Sequence, residues 1–372
     1  MTWRTWRRSL AALVGTALVA VALVPAASAR AQFWDAPGWG WSPTANGTEY
    51  SSPRGTFTVA GPIDSVHRAH GGGTGSLGYP VAARNSQTTQ HGYQTFERGV
   101  IYSSPAGTFA VRGGVDGAHR ARGGGSGALG YPRTAEVREA ASHSYQAFER
   151  GVLYSGPSGT WATLSSSSIT SMHRAAGGGR GTHGYPIGDE VQFLPGQWLQ
   201  PFERGYAFVE TNQGRIPETC PAECYAVPSN GSYWLPRTWE ASEIVRLTNA
   251  ERTANGLASL RENPVKSALA TRWSGKMAAT DLLWHNPQFA ASGGVMSENV
   301  LYTSVRRGAS YDAAGGAASA VRSWMGSSGH RANILRAGPT EIGVGWIVRP
   351  SPRIGGGDHR TDIAWATQVF GY

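Results

Sequence analysis

Two histidines and one glutamate in the last third of the chain are the residues best suited to chemistry. His285 lies in a Leu-Leu-Trp-His-Asn-Pro phrase, Glu298 in Ser-Glu-Asn-Val, and His330 in Gly-His-Arg-Ala-Asn-Ile-Leu. Two imidazoles and a carboxylate can hold a divalent metal such as zinc with one position open, or act as a base oriented by an acid. Spacing alone does not choose between these, since the chain has neither a His-Glu-x-x-His helix nor a Gly-x-Ser-x-Gly elbow.

Three amphipathic segments after Pro236 are predicted to form the helices that position these residues. Their apolar residues recur at helical spacing over 242–255, 264–277 and 311–325. Ser242 is predicted to cap the first helix and Asn263 the second, with Pro264 at its first position. Apolar residues then alternate over 342–348 and 363–369, which predicts two antiparallel strands. Helices on a small antiparallel sheet make an α+β domain.

The first half of the chain is built from repeats, because four phrases recur in a fixed order. Tyr-Ser-x-Pro-x-Gly-Thr begins at Tyr50, Tyr102 and Tyr154, and His-Arg-Ala before three glycines begins at His67, His119 and His173. Gly-Tyr-Pro surrounds Tyr79, Tyr131 and Tyr185, and Phe-Glu-Arg-Gly begins at Phe96, Phe148 and Phe202. Each unit is predicted to be a β-hairpin with a Pro-Gly turn, then a short helix ended by glycine. Such small units should pack on one another.

Several expectations follow for the repeats. The first unit lacks the Phe-Glu-Arg-Gly half and the last lacks the Pro-x-Gly-Thr half, so the ends are predicted to complete each other in a closed, propeller-like ring. The repeated histidines are expected to pack or hydrogen-bond within their units rather than to bind a ligand. The repeated Gly-Tyr-Pro tyrosines are candidates for carbohydrate stacking, with packing as the alternative; they are Tyr79, Tyr131 and Tyr185.

The N-terminus carries the signals of export. Three arginines precede an uncharged run from Leu10 to Val24 and an Ala-Ser-Ala site that ends at Ala29, which predicts a signal peptide over residues 1–29. The run is shorter than the roughly 20 residues that span a bilayer, and no later run approaches that length. Sec-type export is favoured over the twin-arginine route, whose motif is matched only in part. In an oxidising compartment, Cys220 and Cys224 are predicted to form a small-loop disulfide.

The positive charge of the chain limits its partners. The net charge of +9 becomes +6 without the three leader arginines, and nearly all of it comes from Arg. Such a surface could meet anionic wall polymers, lipid head groups or nucleic acid. Nucleic acid is the least favoured, because the arginines are spread along the chain rather than clustered with aromatic residues.

The repeat phrases resemble the LGFP repeat of actinobacterial envelope proteins over residues 45–210. The matching pattern is Gly-x-Leu-Gly-Tyr-Pro followed by an aromatic-Glu-x-Gly phrase, and only the third copy departs from it, with His183 in place of Leu. The resemblance implies a β-rich module of hairpins and short helices. It also implies retention at a cell wall of the actinobacterial type.

Residues 238–372 resemble the CAP superfamily, also called the SCP domain, in its short bacterial form. The matching phrases are Leu-Thr-Asn-Ala-Glu-Arg from Leu247, Glu-Asn-Val from Glu298, Ser-Gly-His-Arg-Ala-Asn-Ile-Leu, Ile-Gly-Val-Gly and Thr-Gln-Val-Phe-Gly. The resemblance implies an α-β-α sandwich with a surface cleft that contains His285, Glu298 and His330. Ser327 and Trp365 stand where eukaryotic members have a second Glu and a second His. They are secondary cleft positions, and the polar set is incomplete.

These expectations define a secreted α+β protein with a signal peptide at 1–29, three repeats at 45–210, a linker at 211–237 and a CAP domain at 238–372. The leading hypothesis is a wall-associated protein whose repeats bind wall polymers or envelope lipids and whose cleft binds a lipid or other small envelope ligand. A metal-dependent or His/Glu-assisted hydrolase, protease-like or nuclease-like, is the alternative, although no nucleophile or oxyanion hole can be named. A structural or defensive protein with a vestigial cleft is the third. Zinc at His285 and His330 is the cofactor considered, and catalysis is left open.

Overall fold

A computed structural model describes residues 33–194, 196–210, 231–289, 294–307, 313–349 and 360–372. The predicted signal peptide and the predicted Cys220–Cys224 disulfide lie outside the described residues. The helices within these ranges fall short of the length and apolar character that a membrane-spanning segment needs.

The N-terminal module contains four antiparallel sheets, each made of four consecutive strands. The first contains β1 (Phe33–Ala36), β2 (Trp39–Thr44), β3 (Gly47–Ser52) and β4 (Gly55–Ala60). The second contains β5 (Asn85–Ser86), β6 (Gly92–Phe96), β7 (Gly99–Ser104) and β8 (Gly107–Arg112). The third contains β9 (Val137–Ala140), β10 (His143–Phe148), β11 (Gly151–Gly156) and β12 (Gly159–Leu164). The fourth contains β13 (Val191–Leu194), β14 (Gln197–Phe202), β15 (Gly205–Glu210) and β16 (Gly231–Pro236). The predicted Pro-x-Gly hairpins join the last two strands of the first three sheets.

A short helix follows each of the first three sheets, as predicted. These helices are α1 (Gly61–Ala69), α2 (Gly113–Ala121) and α3 (Ser168–Ala175). The chain after them turns at a glycine in the left-handed region, at φ 90° for Gly71, 87° for Gly123 and 96° for Gly177. Only glycine takes up this conformation without steric cost, so the glycine triplets end the helices.

Each of these helices lies between two successive sheets. On β7, Ile101 shares a core with Ile63 of α1. Its neighbours Val100 and Tyr102 point to the other face of the sheet and share a core with Val115 of α2. Alternation along the strand therefore buries both faces of the sheet, and the units stack through their helices.

Buried amide side chains add a polar connection between successive sheets. Nε2 of Gln94 donates to the carbonyl oxygen of Thr58 on the preceding sheet at 3.1 Å. Gln146 and Gln200 repeat this bond to the preceding sheet at 3.0 and 2.8 Å. Because a buried amide needs a partner, each bond fixes how one unit sits on the next.

The ends of the module do not complete each other, so the predicted ring is wrong. β1 and β2, at 33–44, complete the first sheet from residues before the predicted start at 45. β16 completes the fourth sheet by pairing along the whole of β15, from Gly205 with Pro236 to Glu210 with Gly231. The segment predicted as a linker, 211–237, therefore contains a strand, and each end supplies its own missing half.

The C-terminal domain is the predicted α-β-α sandwich. Its elements are α4 (Trp239–Ala254), β17 (Arg261–Glu262), α5 (Pro264–Thr280), β18 (Val295–Arg307), α6 (Ala313–Gly326), α7 (Ser328–Ile334), β19 (Glu341–Arg349) and β20 (Arg360–Gly371). The strand order is β17-β19-β20-β18, with β17 parallel to β19 and the other pairs antiparallel. α5 packs on one face of the sheet, and α4 and α6 pack on the other.

The helix caps agree with the prediction at α5 and differ at α4. Oδ1 of Asn263 accepts from the amides of Val265 and Lys266 at 2.9 and 3.1 Å. At α4 the cap is Thr238, whose hydroxyl accepts from the amide of Ala241 at 3.3 Å, rather than Ser242. Threonine satisfies the first helical amides as serine would, so the helix begins one turn earlier.

The fourth sheet packs directly on the C-terminal domain. Tyr206 and Phe208 of β15 share a core with Ala268 and Leu269 of α5. Phe208 holds the strand position of Tyr102, which meets α2 in the second sheet, so α5 covers the fourth sheet as a repeat helix covers the earlier ones. The two modules therefore share one hydrophobic core.

Candidate functional site

His285 and Glu298 meet at one edge of the C-terminal domain. Nδ1 of His285, in the loop after α5, lies 2.7 Å from Oε1 of Glu298 on β18. The amide of Asn286 donates to the same oxygen at 3.1 Å. The loop is held by the indole of Trp273 on α5, which donates to the carbonyl oxygen of Trp284 at 2.9 Å. A helix and a strand therefore fix the geometry of this pair.

The two partners differ in their access to solvent. The His285 side chain is 64% exposed, whereas that of Glu298 is 7% exposed. Burial raises the pKa of Glu298, although the hydrogen bonds from His285 and Asn286 oppose this effect. Oε2 of Glu298 is buried and has no hydrogen-bond partner among the described residues. The site therefore has a fixed carboxylate beneath an open imidazole.

The hydrogen bonds determine which nitrogen of His285 can act on a ligand. An ionised Glu298 only accepts, so the Nδ1–H donates to it. In the neutral imidazole the lone pair then lies on Nε2, which hydrogen-bonds to no side chain in the described part of the chain. Nε2 can accept a proton or a hydrogen bond from a molecule that enters the cleft.

His330 is close enough to respond to this pair without bonding to it. Burial and then the charge of His285 lower the pKa of His330. Its backbone oxygen accepts from Nδ2 of Asn299 at 3.1 Å, which ties α7 to β18. Across the described ranges no hydrogen bond joins His330 to His285 or Glu298. Both effects favour the neutral form of His330, which lies within electrostatic reach of the pair.

A buried network of amide side chains holds this arrangement together and was not predicted. Nδ2 of Asn333 donates to the backbone oxygen of Glu298 at 3.2 Å and to Oδ1 of Asn299 at 2.9 Å. Asn299 also donates to Gln368 at 3.0 Å, and Gln368 donates to Thr248 at 2.7 Å. All four amide and hydroxyl residues belong to the phrases that carry the CAP resemblance. Those phrases were the sequence signal from which the network could have been found. Several of their residues form this network rather than the cleft itself.

The two secondary cleft positions differ in burial, since Trp365 lies in the core and Ser327 is partly exposed. Trp365 is 2% exposed, shares the core with α5, and its ring lies 5.4 Å from that of Tyr302. Its inclusion in the cleft is therefore wrong, because packing on α5 buries it. Ser327 is the N-cap residue of α7, and its side chain makes no capping hydrogen bond.

The residues present do not form a complete zinc site. Within the described ranges, no group of three His, Cys, Asp or Glu side chains converges as metal ligands would. Nε2 of His285 could still bind a metal while Nδ1 bonds to Glu298, but a catalytic zinc needs three protein ligands. These residues on their own therefore do not fit a catalytic zinc.

The repeated histidines hold their own units together. Nε2 of His67, His119 and His173 lies 2.8, 2.9 and 2.9 Å from the backbone oxygen of Gly78, Gly130 and Gly184. A carbonyl oxygen only accepts, so each Nε2 carries the proton. Burial lowers the pKa of all three histidines. The prediction of hydrogen bonding within the unit is confirmed.

The repeated tyrosines cannot stack on a carbohydrate, so that prediction is wrong. Tyr79, Tyr131 and Tyr185 are only 3, 4 and 4% exposed. Each packs edge to face on the tyrosine that opens the hairpin phrase of its unit, with ring centroids 5.6, 5.5 and 5.2 Å apart. Burial within the unit leaves no ring face for a sugar.

Comparison with known proteins identifies both modules. Residues 245–366 match the cysteine-rich secretory protein family, CAP, and residues 77–127 match the LGFP repeat. Curated protein sequences give no match.

Solved structures with some similarity include an extracellular protein containing an SCP domain from Bacillus anthracis, at 14% identity over 79% of this chain and 89% of that one, with a TM-score of 0.25. An outer surface protein from Borrelia burgdorferi has 12% identity over 36% of this chain and 92% of that one, with a TM-score of 0.25. A cysteine-rich secretory protein from Staphylococcus aureus has 11% identity over 66% of this chain and 90% of that one, with a TM-score of 0.20. Such low TM-scores carry no argument. The two family matches do, and they show that the chain contains an LGFP repeat and a CAP domain.

Proposed function

We propose that the repeat module holds this protein at the cell envelope and that the CAP cleft binds a lipid or another small envelope ligand there. The combination of an LGFP repeat and a CAP domain indicates an extracellular, envelope-associated protein. The shared core between the fourth sheet and α5 supports joint action, because a protein held through its repeats also holds its cleft in a fixed direction.

The observation that carries the cleft proposal is the contrast between His285 and Glu298. An imidazole that is 64% exposed is fixed at 2.7 Å to a carboxylate that is 7% exposed. The carboxylate keeps the imidazole in one orientation, so Nε2 is prepared to accept a hydrogen bond from a hydroxyl or amine head group. Among the described residues, no hydroxyl or thiol side chain hydrogen-bonds to His285, which favours binding over nucleophilic catalysis.

A hydrolase is the second candidate, and the same pair supports it. A histidine oriented by a carboxylate can take a proton from water during attack on an ester or amide. This function needs a group that stabilises the developing oxyanion, and none can be named among the described residues around His285 and Glu298. The binding proposal requires fewer components and is therefore preferred.

The cleft is tested with the full-length protein and lipids extracted from isolated envelopes of the producing organism. The protein is incubated with vesicles of these lipids and separated from them, and the lipid retained is measured by mass spectrometry. We expect His285→Ala to retain about tenfold less lipid, the loss of roughly one hydrogen bond, while sedimenting with whole envelopes as the wild type does. His91→Ala, which changes a histidine of the repeat module, is the control.

Two outcomes would contradict the proposal in different ways. Unchanged lipid retention by His285→Ala would exclude His285 as a ligand contact. Release of hydrolysis products by the wild type, lost in His285→Ala, would establish the hydrolase instead.

A further inference from the structure

A pocket of about 530 Å³ lies where the repeat module meets the CAP domain. We call it the junction pocket. One wall comes from the repeat module, with Trp161 on β12 and residues 187–191. The other wall contains Arg237, just before α4, and residues 261–265, which run from β17 into α5. The described residues that line it do not include the cleft histidines or glutamate, so the junction pocket is separate from the CAP cleft.

Apolar side chains form one part of the junction pocket. Those that are half-buried include Trp161, Ile187, Val191 and Val265. The two valines also pack on the core that the two modules share. Nε1 of Trp161 donates to the carbonyl oxygen of Ser158 at 3.1 Å, so the polar edge of the indole is already satisfied. The pocket therefore offers an apolar surface, and its volume lies within the range for small-ligand sites.

The wall from the repeat module departs from the repeat pattern at two positions. Trp161 stands where the first two repeats have phenylalanine, and Asp189 stands where they have alanine. Oδ1 of Asp189 accepts from the amide of Ala162 at 3.1 Å, and Oδ2 pairs with Arg122. The junction thus has a larger aromatic ring and an additional ion pair, which repetition of the fold alone does not explain.

Most charged groups of the junction pocket are balanced by a neighbour. Nη2 of Arg237 lies 2.7 Å from Oε2 of Glu262, and Asp189 pairs with Arg122. Each of these two pairs has no net charge. The sign of the pocket therefore depends on the remaining charged residue of its lining, Arg261.

Arg261 gives the junction pocket a net positive charge. Its side chain is 74% exposed and pairs with Glu341. The same carboxylate lies 2.8 Å from the buried Nζ of Lys266, so two cations share one anion and one positive charge remains. Among the described residues, Arg261 bonds to Glu341 through one guanidinium nitrogen. Its other N–H groups can donate to a ligand.

We propose that the junction pocket binds a small apolar molecule that carries one carboxylate group. Guanidinium and carboxylate groups match in geometry, so Arg261 holds the carboxylate. The apolar body lies against Trp161 and Val265, from which water is then displaced. One excess positive charge balances one carboxylate and disfavours a cation. This inference goes beyond the proposed function, because it needs neither envelope attachment nor the CAP cleft.

The test uses the full-length protein and three probes of nearly equal size and different charge. Phenylbutyrate, phenylbutanol and phenylbutylamine are negative, neutral and positive near neutral pH, and ligand-observed NMR titration gives their dissociation constants. We expect the acid to bind about tenfold more tightly than the alcohol, the effect of roughly one charge-assisted hydrogen bond, and the amine to bind most weakly. Arg261→Ala should remove the preference for the acid and leave the affinity for the alcohol unchanged.

Three further variants separate the possible causes. Arg246→Ala removes another exposed arginine that pairs with a glutamate but lies outside the pocket, and it should bind the acid as the wild type does. Trp161→Ala removes apolar surface that all probes contact, so it should weaken the acid and the alcohol by the same factor. His285→Ala distinguishes the two sites, since binding in the junction pocket does not involve this residue. The melting temperature of each variant checks that it is folded.

Four results would overturn the proposal. Equal affinity of the wild type for acid and alcohol would refute the carboxylate assignment, and an unchanged preference in Arg261→Ala would refute the role of Arg261. Loss of acid binding in His285→Ala would place the probe in the CAP cleft. Absence of binding by all three probes at about millimolar concentration would refute the pocket as a ligand site. None of these results bears on envelope attachment, which sedimentation tests separately.

Discussion

His183 is the residue at which the third repeat departs from the other two, and this difference is expected to lower the stability of the folded protein in a pH-dependent way. Leu77 and Leu129 hold this position in the first two repeats and are fully buried. His183 is 7% exposed, and its ring lies 6.2 Å from that of His173. Burial and then the nearby His173 lower the pKa of His183 to about 4. The imidazole is therefore kept neutral at a buried position that leucine occupies in the other two repeats.

We expect His183→Leu to stabilise the protein, and more so in acid. The folded-state pKa of about 4 lies below the ordinary histidine value of about 6.5. Between these two values the unfolded state binds a proton that the folded state does not. The free energy of unfolding therefore has its full value above about pH 6.5 and decreases as the pH falls towards about 4. Urea unfolding at about pH 7.5 and about pH 5 measures the difference. Leu129→His is the reciprocal control and should lose stability at both pH values, and more at the lower one. An equal gain at both pH values would refute this explanation.

Single residues were predicted well where their partners are local and poorly where they are not. The hydrogen bonds of His67, His119 and His173 reach a glycine eleven residues away within the same unit. The burial of Tyr79 depends on Tyr50, and its Gly-Tyr-Pro turn gives no sign of that contact. The amide network around Asn299 was also missed, because its bond to Gln368 depends on the register of β18 against β20.

At the scale of elements, α5 was predicted and β18 was not. Asn263 and Pro264 are local signals that mark the start of α5. β18 extends over Val295–Arg307 but contains Ser297, Glu298 and Asn299 in succession, so its sequence lacks a clear apolar alternation. Its pairing with β20 along its length makes it a strand. The element that carries Glu298 is thus determined by tertiary contacts rather than by its own pattern.

One buried arginine of α4 hydrogen-bonds to the end of α7. Arg252 is 1% exposed, and burial lowers its pKa. Its guanidinium group donates to the backbone oxygens of Ala258, Ile334 and Arg336 at 2.9, 2.7 and 2.8 Å. Two of these oxygens lie at the end of α7 and just after it, so this residue holds the segment that carries His330.

We expect Arg252→Met to destabilise the protein by about 3 kcal/mol, because it leaves buried carbonyl oxygens without donors. Arg246→Ala on the same helix is the matched control, since Arg246 is exposed and its ion pair among the described residues is with Glu243; it should leave the stability nearly unchanged. Chemical denaturation gives both values. Similar effects of the two substitutions would show that the bonds of Arg252 do not hold α7.

At the scale of the whole molecule, the sequence divides clearly into a repeat module and a CAP domain, but in the fold these two parts share one hydrophobic core. The boundary was predicted from a change in periodicity, which detects where the helices begin. It could not reveal that Phe208 and Leu235 on one side and Trp273 on the other belong to one core. At this boundary the guanidinium of Arg272 and the carboxylate of Glu210 form an ion pair, with exposures of 2 and 0%. Gln197 also accepts from Arg272 at 3.1 Å.

We therefore expect the fourth sheet and the CAP domain to unfold together, as one calorimetric transition. Glu210→Gln removes the charge that balances Arg272 and should destabilise this transition by about 3 kcal/mol or more, because an uncompensated buried charge is costly. The double variant Arg272→Met, Glu210→Leu removes both charges and should cost less than the single one. Scanning calorimetry of the three proteins decides the matter. Two separate transitions in the wild type would show that the modules fold independently. A double variant less stable than Glu210→Gln would show that the ion pair does not join them.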